Sequence, residues 1–366
     1  MRIAVVMLAL VFACRTAAAD PAWTGGDQLA TNPLGCGVAT TARNLMPYNG
    51  GRPSNPPDRA GQPLRVVNVP KVAGNAYFAE TQKGMEDAAH DLGNVTVLTR
   101  PPHAPNATAQ ADIVQQAVSD RVDAVLFAAD DPAAVAGALK EALAAGTDVV
   151  GYDADAEPEA RQWFVDQAEP NGIAKVLIDE LARQIGETGR FAIVTSSFAA
   201  PNQARWIAEM AAYAGKCHPN LVWLETVEAQ EDNVASFDEA QALMSRHGGS
   251  LGAILALTSV ATPAAAEAVT EAGQCGKVAI LGLATPRAMR SYIEKGCVEA
   301  AVLWNPVDLG YAAVYVLRAV ADGTLKPGDV SVEAGRLGRL AVIDGSDILL
   351  GMPFVFTRQN VAGFDF

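Results

Sequence analysis

From Leu64 to Trp304 the chain alternates short apolar runs with longer amphipathic runs, and this alternation constrains the fold more than any other feature. Runs such as LRVVNVP, DAVLFAA and DVVGYD are typical of buried strands. FAETQKGMEDAAHDLG and PAAVAGALKEALAAG have the helical period and end at glycine. Strands that alternate with helices predict α/β architecture, with parallel sheets built from right-handed crossovers.

The alternation restarts once, and this predicts two domains. Pro158, Pro170 and Gly172 interrupt the pattern near residues 156–172, after which helix and strand signals resume. The number of strands is too large for one sheet of ordinary size. We therefore expect two doubly wound parallel-sheet lobes. Residues 20–63, rich in Gly, Pro, Asn and Thr, predict an irregular N-terminal lead that is either extended or wrapped on a lobe.

The first 19 residues predict a secretory signal peptide. They combine a basic head, a twelve-residue apolar stretch and a run of alanines that ends at Ala19, where cleavage is expected. A buried N-terminal strand or helix is disfavoured, because Arg15 and the polar segment after it do not continue a core element. A lipoprotein anchor at Cys14 is the less favoured form of export, since Phe12 fits the lipoprotein box poorly.

The charge balance excludes several classes of partner. The chain has 41 acidic and 27 basic residues and a formal net charge of −14. Phosphate backbones and anionic membrane surfaces repel such a protein, so nucleic acid and membrane are not expected partners. No apolar run reaches the roughly 18 residues that a spanning helix needs.

The cysteines and histidines do not predict a metal site, and we expect no cofactor. After the signal, no cysteines are in CxxC spacing, and the four histidines are scattered. Cys275 and Cys297 each precede a predicted strand, and if those parallel strands are neighbours the two cysteines share one sheet edge. A disulfide between them is expected, with two unpaired thiols as the alternative. The roles of Cys36 and Cys217 stay open.

Polar and aromatic side chains follow several of the predicted strands. In open parallel sheets the ligand lies beyond the carboxyl ends of the strands, so these residues are the candidate site. No glycine-rich phosphate loop is present among them. They are Lys71, Asn75, Tyr77, Phe78, Asp130, Asp131, Asp153, Asp155, Phe198, Asn202, Gln203, Thr258, Ser259, Trp304, Asn305 and Asp308.

This mixture of side chains suits a neutral sugar or polyol. Carboxylates and amides match hydroxyl groups that both donate and accept, and aromatic rings cover the apolar faces of a sugar ring. Alternatives remain for single residues. Tyr77 and Phe78 could be core residues of the first helix, Trp304 could be hinge packing, and Asp130 or Asp131 could cap the helix that begins at Pro132.

One motif raises the possibility of an enzyme. Residues 248–252, GGSLG, match the nucleophile elbow G-x-S-x-G, which requires a strand before the serine and a helix after it. Here a helix precedes Ser250 and a strand follows it, so a helix-ending turn is the better interpretation. Without a nucleophile or a metal cluster, catalysis is not expected; paired carboxylates acting on a sugar are the remaining enzymatic alternative.

Four stretches resemble a known family. They are VVNVPKVAGNAYFAETQKGMEDAAHDLG, PNGIAKVLIDELARQIG, LGLATPRAMRSYIEKGCVEAAVLWNPVDLGY and MPFVFTRQNVAGFDF. They are similar to the periplasmic type I sugar-binding proteins of ABC importers, in the branch that binds autoinducer-2 (AI-2) or rhamnose. The resemblance runs from about Leu64 to Phe366.

The resemblance implies two lobes joined by a three-stranded hinge, with the ligand enclosed between them. The chain would cross at about 163–170, at Trp304–Asp308 and near Leu349–Pro353. The first lobe is then expected to comprise residues 64–163 and 308–348, and the second residues 164–307 and 349–366.

Carried over by position, the resemblance implies that Lys71, Asp153 and Gln203 bind the ligand. Asn202 stands where the AI-2 binders carry aspartate, and Leu257 and Ser259 replace a proline and an alanine. These departures favour another sugar or polyol over AI-2 as the ligand. A receptor for AI-2 with the same fold is the alternative function. The expected protein is a monomer of the periplasm that passes its ligand, unaltered, to an ABC transporter permease.

Overall fold

The structure is a computed structural model, and it describes residues 46–52 and 59–366. The predicted signal peptide, the alternative anchor at Cys14, Cys36 and most of the N-terminal lead lie outside the described residues. Within the described part of the chain, no helix is both long enough and apolar enough to cross a membrane.

The described chain alternates strands and helices as the sequence predicts. The strands are β1 (Leu64–Val69), β2 (Val95–Thr99), β3 (Ala124–Phe127), β4 (Asp148–Tyr152), β5 (Trp163–Asp166), β6 (Arg190–Thr195), β7 (Val222–Glu228), β8 (Ala253–Ala256), β9 (Ala279–Gly282), β10 (Ala300–Leu303), β11 (Ser331–Glu333), β12 (Arg339–Ile343), β13 (Asp347–Leu349) and β14 (Phe354–Thr357). The helices are α1 (Ala76–Leu92), α2 (Ala107–Ser119), α3 (Pro132–Ala144), α4 (Pro170–Ile185), α5 (Pro201–Cys217), α6 (Asn233–His247), α7 (Ala261–Glu271), α8 (Pro286–Lys295) and α9 (Pro306–Ala321).

An eight-stranded sheet forms the first lobe, in the order β11-β12-β13-β5-β4-β3-β1-β2. Its strands from β5 to β2 are parallel. Successive residues of a strand face opposite sides, so Val66 packs on the side of α1 and α9, whereas Val67 packs with α2 and α3. Helices therefore cover both faces of this sheet.

The second lobe has a parallel four-stranded sheet, in the order β7-β6-β8-β9. β10 and β14 form an antiparallel pair, and a parallel bridge between Leu283 and Val302 places that pair beside β9. α4 packs with α5, and α6 packs with α7. These two arrangements confirm the prediction of two doubly wound lobes.

The chain passes between the two lobes three times in the described residues. The connections are residues 167–169, between β5 and α4, residues 304–305, between β10 and α9, and residues 350–353, between β13 and β14. The boundary expected at 163/164 falls inside β5, because this four-residue strand pairs with β4 and β13 in the first sheet. Residues 306–307 and Leu349 likewise lie in elements of the first lobe.

Two helices of the first lobe approach each other through glycines. A Cβ atom added to Gly84 in α1 would lie 1.8 Å from the Val307 carbonyl oxygen, and one added to Gly310 in α9 would lie 1.9 Å from that of Thr81. No side chain fits at those distances. The contact fixes the start of α1, which carries Tyr77 and Phe78, against the start of α9, which follows Trp304.

The expected disulfide between Cys275 and Cys297 is confirmed. The two sulfur atoms are bonded, and the Cα atoms are 4.8 Å apart. Cys275 lies before β9 and Cys297 before β10, so the bond joins the amino-terminal ends of neighbouring parallel strands.

The described parts of the N-terminal lead are wrapped on the first lobe. The Tyr48 hydroxyl donates to the Gln162 carbonyl at 2.9 Å, and the Gly51 amide donates to that of Arg161 at 2.8 Å. The Arg59 guanidinium donates to the buried Asp148 carboxylate at 3.0 Å. Of the two expected arrangements, extended or wrapped on a lobe, these bonds support the wrapped one for this part of the lead.

Candidate ligand-binding site

A cavity lies between the lobes, at the carboxyl ends of the parallel strands. The volume open to the centres of water molecules within it is about 40 Å³, so the cavity is small and favours a small ligand. The lining residues are Lys71, Asn75, Tyr77, Phe78, Asp153, Asn202, Gln203, Trp206, Glu231, Leu257, Thr258, Ser259, Leu283, Leu303 and Trp304.

Most of the predicted site residues line this cavity. The first lobe contributes predicted residues from the end of β1, the start of α1 and the end of β4, and the second lobe contributes them from α5 and the end of β8. Trp304 comes from one of the connections between the lobes. The predicted residues that line the cavity are Lys71, Asn75, Tyr77, Phe78, Asp153, Asn202, Gln203, Thr258, Ser259 and Trp304.

Six predicted residues lie outside the cavity lining, namely Asp130, Asp131, Asp155, Phe198, Asn305 and Asp308. Asp155 is paired with Arg161. Asp131 caps α3 by accepting from the amides of Ala133 and Ala134. Asn305 caps α9 and also donates to the Asp308 carboxylate at 2.8 Å. Asp308 is paired with Arg336. We therefore do not include Asp131, Asn305 and Asp308 among the proposed ligand contacts.

Asp153 is a buried carboxylate held in an unusual backbone conformation. Its φ is +64°, in the left-handed region that few residues other than glycine adopt, and it is 5% exposed. The Tyr77 hydroxyl donates to Asp153 Oδ1 at 2.8 Å. Burial raises the pKa of Asp153, although the charge of Lys71 opposes that shift. The Asp153 residue lines the cavity.

A hydrogen-bonded relay joins the hinge to Asp153. Trp304 Nε1–H donates to the Tyr77 hydroxyl oxygen at 2.7 Å, and Tyr77 in turn donates to Asp153. The rings of Trp304 and Tyr77 are perpendicular at 6.1 Å, and Trp206 packs against Trp304 at 5.7 Å. Burial raises the pKa of Tyr77 well above its ordinary value, so the hydroxyl stays a donor. Tyr77 is thus a positioning residue for Asp153.

Replacing Tyr77 with phenylalanine is expected to weaken ligand binding by about 10- to 100-fold. The change leaves the indole N–H of Trp304 and one oxygen of Asp153 unpartnered in a buried site, which costs about 1–3 kcal/mol for each polar group. Isothermal titration calorimetry on the two proteins measures the effect. Tyr292→Phe is the matched control, because it removes a tyrosine hydroxyl that donates to Glu267 outside the cavity lining. Equal affinity in Tyr77→Phe and the native protein would contradict the positioning role.

Long polar contacts connect the lobes across the cavity. Lys71 Nζ is 3.5 Å from Asn202 Oδ1, and Asn202 Nδ2 is 3.4 Å from the Asp153 carbonyl oxygen. Ser259 Oγ is 3.4 Å from Asn75 Oδ1. Contacts of this length are weaker than ordinary hydrogen bonds. Ligand hydroxyls placed between these groups would make shorter bonds to both lobes.

Gln203 is fixed by its own lobe. Its side-chain oxygen accepts from the Ser196 amide at 2.8 Å and from the Thr195 hydroxyl, and its nitrogen donates to Ser196 Oγ at 2.8 Å. The Gln203 amide also donates to the Glu231 carboxylate. The anchoring bonds come from the end of β6, so the strand positions this side chain rigidly.

Sequence reasoning missed two polar or aromatic residues of the cavity. Trp206 lies one helical turn beyond Gln203 in α5, and the i+3 spacing on one helix face could have indicated it. Glu231 follows β7, so the rule that ligands lie beyond strand ends would have found it had it been applied to that strand.

The cavity has the chemistry of a binding site. It contains hydrogen-bond donors, hydrogen-bond acceptors and aromatic rings. Among the described residues that line it, no Ser, Cys or Thr nucleophile is paired with a histidine. Ser250 of the G-x-S-x-G motif lies in a turn between α6 and β8, away from the cavity, and donates to the His247 carbonyl at 2.7 Å.

Comparison with known protein families gives one match that spans most of the chain. Residues 66–325 match the family model described as periplasmic binding protein domain. The matched region includes the four-stranded sheet of the second lobe and every residue that lines the cavity.

Three solved structures are similar in sequence and fold. A solute-binding protein of an ABC transporter from Clostridium phytofermentas, with bound L-rhamnose, is 28% identical with a TM-score of 0.78, covering 82% of this chain and 98% of that chain. A sugar ABC transporter protein from Actinomyces odontolyticus is 31% identical with a TM-score of 0.68, covering 85% and 100%. LsrB from Clostridium saccharobutylicum, in complex with AI-2, is 25% identical with a TM-score of 0.77, covering 83% and 100%.

Proposed function

Because this chain belongs to the family of periplasmic binding proteins, we propose that it binds a small neutral sugar or polyol between its lobes and delivers it unaltered to an ABC permease. The observation that carries this proposal is the closed cavity, in which Lys71, Asp153 and Asn202 meet the rings of Phe78, Trp206 and Trp304. Such a cavity offers hydrogen bonds to hydroxyl groups and apolar faces to a sugar ring.

The charges of the cavity favour neutral ligands. One lysine, Lys71, accompanies the carboxylates of Asp153 and Glu231. A phosphate or carboxylate group on the ligand would be buried beside these carboxylates, and the repulsion is strong where water is excluded. Sugar phosphates and uronic acids are therefore excluded by this proposal.

AI-2 is the second candidate ligand. The similarity to LsrB in complex with AI-2 favours it, and so do Lys71, Asp153 and Gln203, which the sequence resemblance assigns to ligand binding. Asn202 opposes it, because an amide there removes a negative charge and adds a donor. Both candidates share the lobes and the cavity.

The periplasmic location, the permease partner and the monomeric state belong to the same proposal. The expected signal peptide with cleavage after Ala19 supports export, and three similar structures are of ABC transporter or AI-2-binding proteins. The family and the cavity both support a protein that binds its ligand without converting it.

The expected result of a ligand screen is stabilisation by a small set of neutral compounds. Mature protein (residues 20–366) is heated with L-rhamnose, D-fucose, D-arabinose, D-ribose, D-glucose, ribitol and AI-2, and with glucuronate and ribose 5-phosphate as anionic controls. A neutral compound is expected to raise the melting temperature and to bind one-to-one in calorimetry, because ligand that binds only the folded state stabilises it. Stabilisation by the anionic compounds alone, or conversion of the bound sugar, would contradict the proposal.

A further inference from the structure

Glu231 is held in the cavity by a constrained loop that follows β7. Gln230 and Glu231 have φ values of +54° and +53°, so two consecutive residues other than glycine adopt the left-handed region. Each such residue costs about 1 kcal/mol or more. The Gln230 amide donates to the Ser196 carbonyl at 2.8 Å, and the Ala229 amide to that of Thr195 at 2.8 Å. These bonds tie the loop to β6 and direct Glu231 to the cavity lining.

Glu231 is the charged group that the second lobe brings to the cavity. The other described residues that this lobe contributes are neutral, whereas the first lobe contributes Lys71 and Asp153. Glu231 is attracted by Lys71 and repelled by Asp153 and Asp130. Burial and the repulsion from both aspartates raise the pKa of Glu231 to about 7, although Lys71 and a hydrogen bond from Gln203 oppose that shift. Closure of the lobes therefore brings a second carboxylate towards Asp153.

We propose that Glu231 is a second ligand-binding carboxylate, and that the ligand is a polyol whose hydroxyl groups bridge Glu231 and Asp153 when the lobes close. This inference rests on the proposed function and specifies its ligand class. Two hydroxyl donors on opposite sides of the ligand satisfy both carboxylates and separate them, while Lys71 donates to a third oxygen. Hydrogen bonds from neutral hydroxyls to carboxylates are stronger than those between neutral groups.

The proposal explains why ligand and closure are coupled. Without a ligand, closing the lobes brings Glu231 near the carboxylates of Asp153 and Asp130, with Lys71 as the nearby cation and Gln203 as a neutral donor, which is unfavourable at low dielectric. A polyol supplies further donors. A deoxygenated analogue that lacks one of the two bridging hydroxyls leaves a buried carboxylate unmatched and binds more weakly.

Glu231→Gln is the test variant, and it is expected to bind the tightest panel sugar about 10- to 100-fold more weakly at pH 8. Glutamine keeps the size of the side chain and removes the charge. Asp238→Asn is the matched control, because it removes one carboxylate from an exposed position of α6 in the same lobe. Circular dichroism establishes that each variant is folded, and calorimetry with that sugar measures each affinity.

The pH dependence gives a second readout that a purely structural role would not change. The ionised carboxylate accepts two hydroxyl donors, so the affinity of the native protein is expected to rise between pH 6 and pH 8 as Glu231 loses its proton. The groups that face Glu231 are Lys71, Asp153, Asp130 and the side-chain amide of Gln203, which donates to it. The Glu231→Gln variant keeps all four, so any part of the profile that persists in it belongs to the titratable groups among them.

The outcomes separate this inference from the function on which it rests. A Glu231→Gln affinity within twofold of the native value at pH 8 overturns the role of Glu231 and leaves the sugar-binding function intact. A native affinity that is the same at pH 6 and pH 8 overturns the ionised carboxylate as the binding form. If no neutral compound of the panel binds the native protein, the proposed function is rejected, and this inference with it.

Discussion

Replacing Asp153 with alanine is expected to raise the dissociation constant for the bound sugar by about 30- to 1000-fold. The change leaves the sugar hydroxyls without their charged acceptor in a site from which water is excluded, at a cost of about 2–4 kcal/mol. It also frees the Tyr77 hydroxyl, which donates to Asp153 at 2.8 Å. Both effects reduce affinity.

Calorimetry on Asp153→Ala and on Asp112→Ala measures this effect against a matched control. Asp112 is an exposed aspartate of α2 in the same lobe, so its replacement removes the same charge far from the cavity. The fold is expected to survive both changes, because neither residue lies in a hydrophobic cluster. Native affinity in Asp153→Ala would mean that this aspartate only shapes its turn. Lys71→Ala is expected to weaken binding less, if water occupies the place of the ammonium group.

Replacing Gly310 with alanine is expected to destabilise the protein by about 3 kcal/mol, at the upper end of the cost of overpacking a core. The new Cβ would lie 1.9 Å from the Thr81 carbonyl oxygen, which is backbone of α1 and cannot turn away. The two helices must therefore separate. Because α1 carries Tyr77 and α9 follows Trp304, their separation is also expected to disturb the relay to Asp153 and to lower the ligand affinity.

Gly137→Ala provides the control for this prediction. Gly137 is an exposed residue of α3, and an added Cβ meets nothing within 4 Å. Alanine there is expected to stabilise the protein by about 0.5–1 kcal/mol, since glycine is unfavourable within a helix. Melting curves of the two variants should shift in opposite directions. An unchanged melting temperature in Gly310→Ala would show that α1 and α9 are not in close contact.

The alternation of the sequence was sufficient to predict the two lobes, because the long amphipathic helices and the buried strands of each lobe have clear periods. The short strands were harder to predict. WFVD, which forms β5, is four residues long and carries no strand-like alternation that distinguishes it from a linker. Its place in the first sheet depends on pairing with β13, almost 200 residues later in the chain. Local patterns contain no information on such pairing.

The rule that ligands lie beyond strand ends predicted the position of the site well, but it could not distinguish binding from capping. Asp153 and Asp131 both follow strands; Asp153 lines the cavity, whereas Asp131 accepts from the first amides of α3. A proline one residue later favours a helix cap over a ligand contact, and a cap was one of the two interpretations of Asp131. Asn305, which also precedes a proline, caps α9 in the same way.

The position of Glu231 after β7 makes it a candidate for the site, but the direction of its side chain could not be predicted from the sequence. Its carboxylate lines the cavity because Gln230 and Glu231 adopt left-handed backbone conformations. Glycine or asparagine usually indicates such a conformation in a sequence, and neither occurs at these two positions. The hydrogen bonds to β6 impose the conformation, and they become visible only once the strands are assembled.

A crystal structure of the mature protein grown with its tightest panel sugar tests the central claim most directly. We expect one unaltered sugar between the lobes, with hydroxyl groups within hydrogen-bonding distance of Asp153 and Lys71 and with its ring against Phe78, Trp206 or Trp304. A sugar bound elsewhere, with the cavity between the lobes occupied only by water, or a chemically altered sugar in the cavity, would contradict the account.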